Sequence, residues 1–260
     1  MRIGRIAHPD GMAFVAIDQG SGDAGGEQVA AEIAEHPFGP VRPTGRIWPL
    51  ADVRLLAPIL PTKVVCIGKN YAEHAREMGG EPPANPIIFL KPSTAVIGPN
   101  APIMLPPDST RVDYEGELAV VIGQACRDVL PEHAASVVLG YTIANDVTAR
   151  DQQRADGQWT RAKSHDTFCP LGPWIETTLD PSDLGVRTTL DGEVRQDSRT
   201  SLLLHGVPAL IWWISRVMTL LPGDVILTGT PAGVGPMQAG QTVAVSIDGI
   251  GTLTNPVTSR

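Results

Sequence analysis

The segment DYEGELAVVIG, residues 113–123, places three acids at alternate positions ahead of an unbroken apolar run. Read as a strand, it turns Asp113, Glu115 and Glu117 to one face and Tyr114, Gly116 and Leu118 to the other. Acids on that face stand roughly 6.5–7 Å apart, two residues at a rise of about 3.3 Å each. Carboxylates that close, beside apolar residues, repel and raise one another's pKa unless a cation neutralises them. The alternative is an edge strand with a solvated acidic face, which discourages strand-to-strand aggregation. Spacing leaves both readings open.

A further acid, Asp146, follows the apolar run VVLGYTIAN and ends an expected buried strand. It is placed either as a third metal ligand or as an N-cap for a helix starting near Thr148. Hard cations such as Mg²⁺ take oxygen ligands, accept few carboxylates and keep positions open for water and substrate. Zinc fits less well, because no Cys or His pair has ligand spacing. His74 and Glu77 lie three residues apart on an expected short helix, Tyr71–Met78, so their side chains can meet. A carboxylate on an imidazole fixes its tautomer and raises its basicity, which suits proton transfer; an ordinary exposed helix pair has the same spacing. Lys163 could face a substrate carbonyl or carboxylate, although a single lysine is commonly a solvated surface charge. The glycine-rich GTPAGVG, 229–235, lacks the GK[ST] ending of a phosphate loop and does not match GxGxxG, so a turn is expected.

These residues need a β-rich scaffold. Glycine and proline together number 51 of 260 residues (27 Gly and 24 Pro), high for a helical bundle. Strands are expected at 1–6, 12–17, 63–68, 86–90, 95–98, 114–123, 137–144, 225–228 and 242–247. Asp191-Gly192 signals a hairpin within 190–194. One longer helix, Pro208–Leu220, is apolar nearly all round and should be buried. The fold class is α+β and β-rich, with a small N-terminal β unit over residues 1–58, including a Gly-rich loop at Gly20–Glu27, and the chemistry in 59–260. The net charge of −8 and pI near 5.2 disfavour nucleic acid and anionic lipid as partners, without excluding an anionic substrate held through a cation. Cys66, Cys126 and Cys169 form no CxxC pair and are expected to be reduced thiols. With no signal-peptide pattern and no span of membrane length, the cytoplasm is the expected location.

The motifs VVCIGKNYAEHAREM, PIIFLKPSTAVIGPNAPI, DYEGELAVVIG, GYTIANDVTARDQQ, TRAKSHDTFCPLGPW, DGEVRQDSRTS and LTGTPAGVGPM occur in the order they take in the fumarylacetoacetate hydrolase family. From Thr62 to the C-terminus the chain resembles its smaller bacterial members, related to acylpyruvases and 2-hydroxyhepta-2,4-diene-1,7-dioate isomerases. The resemblance implies a mixed β-sandwich roll, usually homodimeric. It makes Glu115, Glu117 and Asp146 the ligands of Mg²⁺, with Mn²⁺ or Ca²⁺ as substitutes, and leaves Asp113 a neighbour. It makes His74 and Glu77 a catalytic dyad and Lys163 a substrate contact. Gln153 and Thr230 then line the substrate pocket, and Arg150 and Asp151 support it from behind. Two departures stand out. The chain is far shorter than true fumarylacetoacetases, so that activity is not expected, and KSHDTF replaces the common KGFDTF, bringing His165 near the site.

The implied chemistry is chelation of a small 2-oxo acid or its enol by the metal, with enolate charge stabilised there and by Lys163. Hydrolysis of an acylpyruvate C–C bond and diene isomerisation both follow from it. Decarboxylation, of oxaloacetate or a 5-oxopent-3-ene-1,2,5-tricarboxylate, is the alternative. A non-catalytic, metal-stabilised binding protein is the rival from another class, disfavoured by the presence of all six ligand and catalytic residues.

Overall fold

Runs of β-branched and aliphatic residues such as VVCIG and GELAVVI have no polar side of their own except their leading acids, so they form strands covered on both faces. The computed structural model describes residues 1–18 and 28–260, and the expected loop at Gly20–Glu27 lies outside the described residues. Among these, twelve strands join one sheet. Its main path runs Pro43–Pro49, Val29–Ile33, Gly11–Asp18, Arg2–His8, Cys169–Glu176, Val138–Asn145, Gly116–Ile122, Val225–Leu227, Val64–Gly68 and Ile87–Lys91. Neighbours on this path are antiparallel except Val225–Leu227 with Val64–Gly68, which are parallel. The N-terminal strands continue the same sheet, because Arg2–His8 pairs with Cys169–Glu176.

A five-stranded sheet covers one face of the large one. Its order is Glu193–Arg199, Gly185–Leu190, Thr242–Ile247, Gly251–Ser259 and Ile103–Leu105. Between them lies a core of Leu118, Val120 and Ile143 from the large sheet and Val186, Val245 and Leu253 from the smaller. Ala119, Val121, Cys66 and Leu171 pack on the opposite face of the large sheet, so Gly116–Ile122 is buried from both sides. This is the α+β, sandwich-like architecture with small N-terminal strands that the sequence leads one to expect. The Asp191-Gly192 turn forms as expected, both residues taking positive φ (52° and 83°) between strands Gly185–Leu190 and Glu193–Arg199.

Among the described residues, four α-helices are added: α1 (Ala72–Glu77), α2 (Arg150–Asp156), α3 (Thr160–Lys163) and α4 (Val207–Val217). None is long and apolar enough to cross a membrane. Helix α4 starts with Pro208 in its first turn but stops three residues before Leu220 and buries only one face, Val207, Leu210, Ile211, Ile214 and Ser215. Arg216 and Val217 face solvent, which corrects the all-round burial expected from composition.

The acidic segment is not one strand. Val112–Tyr114 belongs to a three-stranded sheet with Thr148–Ala149 and Gly235–Pro236, and Gly116–Ile122 to the large sheet. Glu115 is the junction. Its N–H is taken by Asn145 Oδ1 at 2.9 Å, and its carbonyl accepts the Asp146 N–H at 2.8 Å. The strand interruption therefore brings Glu115 to Asp146 and separates Asp113 from the other acids. Gly116 makes the junction feasible: a Cβ there would collide with Thr188 Oγ1 and Val245 Cγ1 of the covering sheet. Gly116→Ala is expected to destabilise the protein by about 1–3 kcal/mol through overpacking, more than the roughly 0.4–1 kcal/mol that alanine gains by restricting the unfolded chain. Urea unfolding measures this, and an unchanged or raised midpoint would show that the two sheets do not press on this residue.

Candidate active site

The junction delivers three carboxylates to one point. Ligand oxygens of Glu115, Glu117 and Asp146 all lie within 4.8 Å of one another, and all three residues are buried. Glu115 and Glu117 come from either side of Gly116, and Asp146 from the turn after strand Val138–Asn145. The N-cap alternative for Asp146 fails because α2 begins only at Arg150, capped by Ala149.

Each acid has a different electrostatic setting. Burial opposes ionisation of Glu115, but Arg150 and Lys163 outweigh it and hold that carboxyl well below the usual range. Glu117 goes the other way: burial, then the charges of Asp146 and Glu115, push its pKa well up. Its Oε2 accepts only one amide, Gly229 N–H at 2.6 Å. Asp146 Oδ1 is a buried acceptor with no hydrogen bond of acceptable geometry. An all-oxygen donor set in which two acids repel a third fits a hard divalent cation, and the cluster could hold one.

Lys163, at the end of α3, is buried rather than solvated. Its Nζ donates to Glu115 Oε2 and Asp146 Oδ2, each at 2.7 Å, and lies 4.9 Å from the centroid of the Phe89 ring. Burial opposes its charge, but Asp146 and Glu115 prevail and raise its pKa. Arg150 donates through Nη2 to Glu115 Oε1, through Nε to Asp113 Oδ2 at 2.9 Å and through Nη1 to Gln153 Oε1 at 2.9 Å. Asp113, with Arg111 on its other side, thus anchors Arg150 instead of joining the cluster.

The cluster floors a cavity of about 420 Å³. His74, Glu77, Gln153, Thr230, Arg150 and Lys163 all line it. On α1, His74 Nδ1 lies 3.1 Å from Glu77 Oε2, and Glu77 Oε1 accepts Gly233 N–H at 3.0 Å. His74 is buried, and its Nε2 has no hydrogen-bond partner among the described residues. Thr230 Oγ1 donates to Gly116 O and accepts from Gln196 Nε2. An apolar wall is made by Ile67, Phe89 and Trp159. Trp159 meets Phe89 edge-on at 5.2 Å and lies against Gly68, where a Cβ would come within 2.6 Å of its ring.

Two of the named residues do not line the cavity. Asp151 accepts hydrogen bonds from Ser109 Oγ and Thr110 N–H, steadying the loop before Arg111. His165 does not line the cavity; Gln152 Oε1 holds its Nε2 at 2.8 Å and its ring packs on Phe168.

Sequence reasoning missed two contributions. Lys91 is fully buried, its Nζ donating to the carbonyls of Val147, Lys163 and Phe168 at 3.1, 2.5 and 2.8 Å, with Asp146 Oδ1 at 2.7 Å. The available signal was strand alternation, since Lys91 shares a face with Phe89 two residues earlier. The other is the GTPAGVG segment, irregular up to the strand that begins at Gly235, with two amides aimed at acids, Gly229 at Glu117 and Gly233 at Glu77. Both glycines have positive φ (103° and 100°), and a Cβ at Gly229 would lie 2.7 Å from Asn70 Cβ.

The chain and its fold have counterparts among known proteins. A 5-carboxymethyl-2-hydroxymuconate delta-isomerase from Mycobacterium smegmatis superposes with TM-score 0.94 at 64% identity, over all of both chains. A maleylpyruvate hydrolase from Sphingobium sp. SYK-6, solved with manganese(II) and pyruvate, superposes with TM-score 0.80 at 31% identity, over 100% of this chain and 99% of that one. The mitochondrial oxaloacetate tautomerase fahd2 of Xenopus laevis is 44% identical over 220 residues, covering 80% of this chain and 69% of its own. Residues 1–58 match the model of an Rv2993c-like N-terminal region. Residues 63–258 match the model of the fumarylacetoacetate (FAA) hydrolase C-terminal region, and with the relatives above this places the chain in the fumarylacetoacetate hydrolase family.

Proposed function

We propose that this chain is a divalent-metal-dependent enzyme of small 2-oxo acids or their enols, hydrolysing the C–C bond of an acylpyruvate-type substrate or isomerising 2-hydroxyhepta-2,4-diene-1,7-dioate. The observation that carries the proposal is the meeting, in one cavity, of the three-acid cluster, the Lys163 ammonium and the His74–Glu77 pair. Isomerase, hydrolase and tautomerase relatives support a common chemistry in which a keto acid and its enol interconvert.

Glu115, Glu117 and Asp146 are the ligands in this reading, with Mg²⁺ the preferred ion and Mn²⁺ or Ca²⁺ substitutes. When bound, the ion supplies Lewis acidity and a chelation point for a carboxylate and its neighbouring 2-oxo group. Lys163 keeps its proton and presents fixed positive charge where enolate charge grows. Glu77, pinned by Gly233, holds His74 Nδ1 so that Nε2 is the basic nitrogen, which takes a proton from water in hydrolysis or from carbon in isomerisation. Gln153 and Thr230 orient the substrate, and Arg150 keeps Glu115 in place. Phe89 and Trp159 exclude water on one side. A second reading, proton shuttling without attack by water, is favoured by the tautomerase relative and needs the same residues. Decarboxylation uses the same electron sink. The family resemblance is the ground for proposing a homodimer.

A panel of acylpyruvates, unsaturated 2-hydroxy diacids and oxaloacetate, assayed with Mg²⁺ or Mn²⁺ and with EDTA, separates these outcomes by product. Metal-dependent turnover of at least one member is expected; metal binding without any turnover would favour a binding protein. In Glu115→Ala the Mg²⁺-induced rise in melting temperature should disappear, and an undiminished rise would remove Glu115 from the ligand set. His74→Ala should keep that rise while kcat falls by about 10²–10⁴-fold, the usual contribution of a general base. A parental rate would refute the dyad.

A further inference from the structure

Lys91 enters none of the steps above, yet it is among the most enclosed charges in the protein. An ammonium has three N–H bonds, and here three backbone carbonyls take them: Val147 after the Asp146 turn, Lys163 at the end of α3, and Phe168 beyond it. Asp146 Oδ1 lies 2.7 Å from the same nitrogen but without hydrogen-bond geometry. Lys91 therefore acts on Asp146 by charge, while its hydrogen bonds tie together the two segments that carry Asp146 and Lys163.

That charge changes the balance of the whole site. Four buried carboxylates, Asp113, Glu115, Glu117 and Asp146, are faced by three buried cations, Lys91, Arg150 and Lys163, and Asp113 has an exposed partner in Arg111. The acids are thus nearly neutralised by the protein itself. Adding a divalent ion reverses the sign of the buried charge, and a chelating anion restores the balance. Without Lys91 the same acids would attract the ion more strongly by themselves.

We propose that Lys91 is a positioning residue whose fixed charge makes the binding of divalent ion and of anionic substrate mutually dependent. The proposal rests on the metal reading of the acid cluster given above. It predicts that a bare ion binds weakly and that ion and anion bind tightly as a pair, each raising the other's affinity by the same factor.

The test uses Mn²⁺ as the ion and oxalate as an unreactive planar anion with the chelating edge of a 2-oxo acid. Free Mn²⁺ is read by electron paramagnetic resonance at pH 8, corrected for Mn²⁺–oxalate complexes in solution. In the parent, oxalate should tighten Mn²⁺ binding at least about tenfold, within the 5–150-fold range common for coupled sites. Lys91→Met, and Lys91→Gln should the first not fold, should bind Mn²⁺ more tightly without oxalate and show a smaller oxalate effect. Lys91→Arg should behave like the parent. A merely structural Lys91 would instead weaken Mn²⁺ binding when neutralised. Equal Mn²⁺ affinity with and without oxalate in the parent, or looser Mn²⁺ binding in a folded neutral variant, overturns the proposal while leaving the metal site intact. Absence of Mn²⁺ binding at the cluster in the parent overturns the metal reading as well.

Discussion

Burying several carboxylates within a few ångströms of one another is the constraint on which the rest of the structure depends. An isolated ionised carboxylate in a protein interior is costly, and a group of them more so, unless opposite charges and hydrogen bonds surround it. Here Arg150, Lys163 and Lys91 approach from three directions, and Gly229 adds an amide to Glu117. Even so, Glu117 has its pKa pushed well up by burial and by its two acidic neighbours. A cluster left in that condition is suited to receiving a cation.

The fold reads as a means of delivering those groups. Glu115 stands where the chain passes from the three-stranded sheet to the large one, and the change of sheet lets Glu115 and Asp146 meet through a backbone hydrogen bond. Gly116 allows the covering sheet to press on the junction. The 229–235 loop reaches both the acid cluster and the α1 dyad through backbone amides, so one irregular segment couples the groups that bind and the groups that move protons. Positioning through main chain leaves little room for side-chain variation at Gly229 and Gly233, whose φ values are positive.

Much of this was legible in the sequence, and the misses have physical causes. Apolar runs bounded by Gly and Pro announced the buried strands, and Asp191-Gly192 its hairpin, because these depend on local pattern and turn chemistry. Glu115, Glu117, Asp146, His74 and Lys163 could be named from their motifs, and they converge. Alternation along DYEGELAVVIG misled, since it assumes an unbroken strand; the interruption at Glu115 is imposed by Asn145 and by the second sheet, neither of which is local. Lys91 is not singled out by the sequence, because it falls just beyond the expected strand 86–90, where a lysine ordinarily faces water, and the three carbonyls that enclose it come from residues 56, 72 and 77 positions away. Asp151 and His165 do not line the cavity, because proximity in sequence to Arg150 and Lys163 does not fix the direction of a side chain.

Glu115, Glu117 and Asp146 are proposed to share one divalent ion. Crystals grown with Mn²⁺, with diffraction recorded at the manganese absorption edge, test it directly. A single strong anomalous peak is expected in contact with carboxylate oxygens of all three residues, lost in crystals grown with EDTA. A map with no peak there, or with manganese bound only elsewhere, would contradict it.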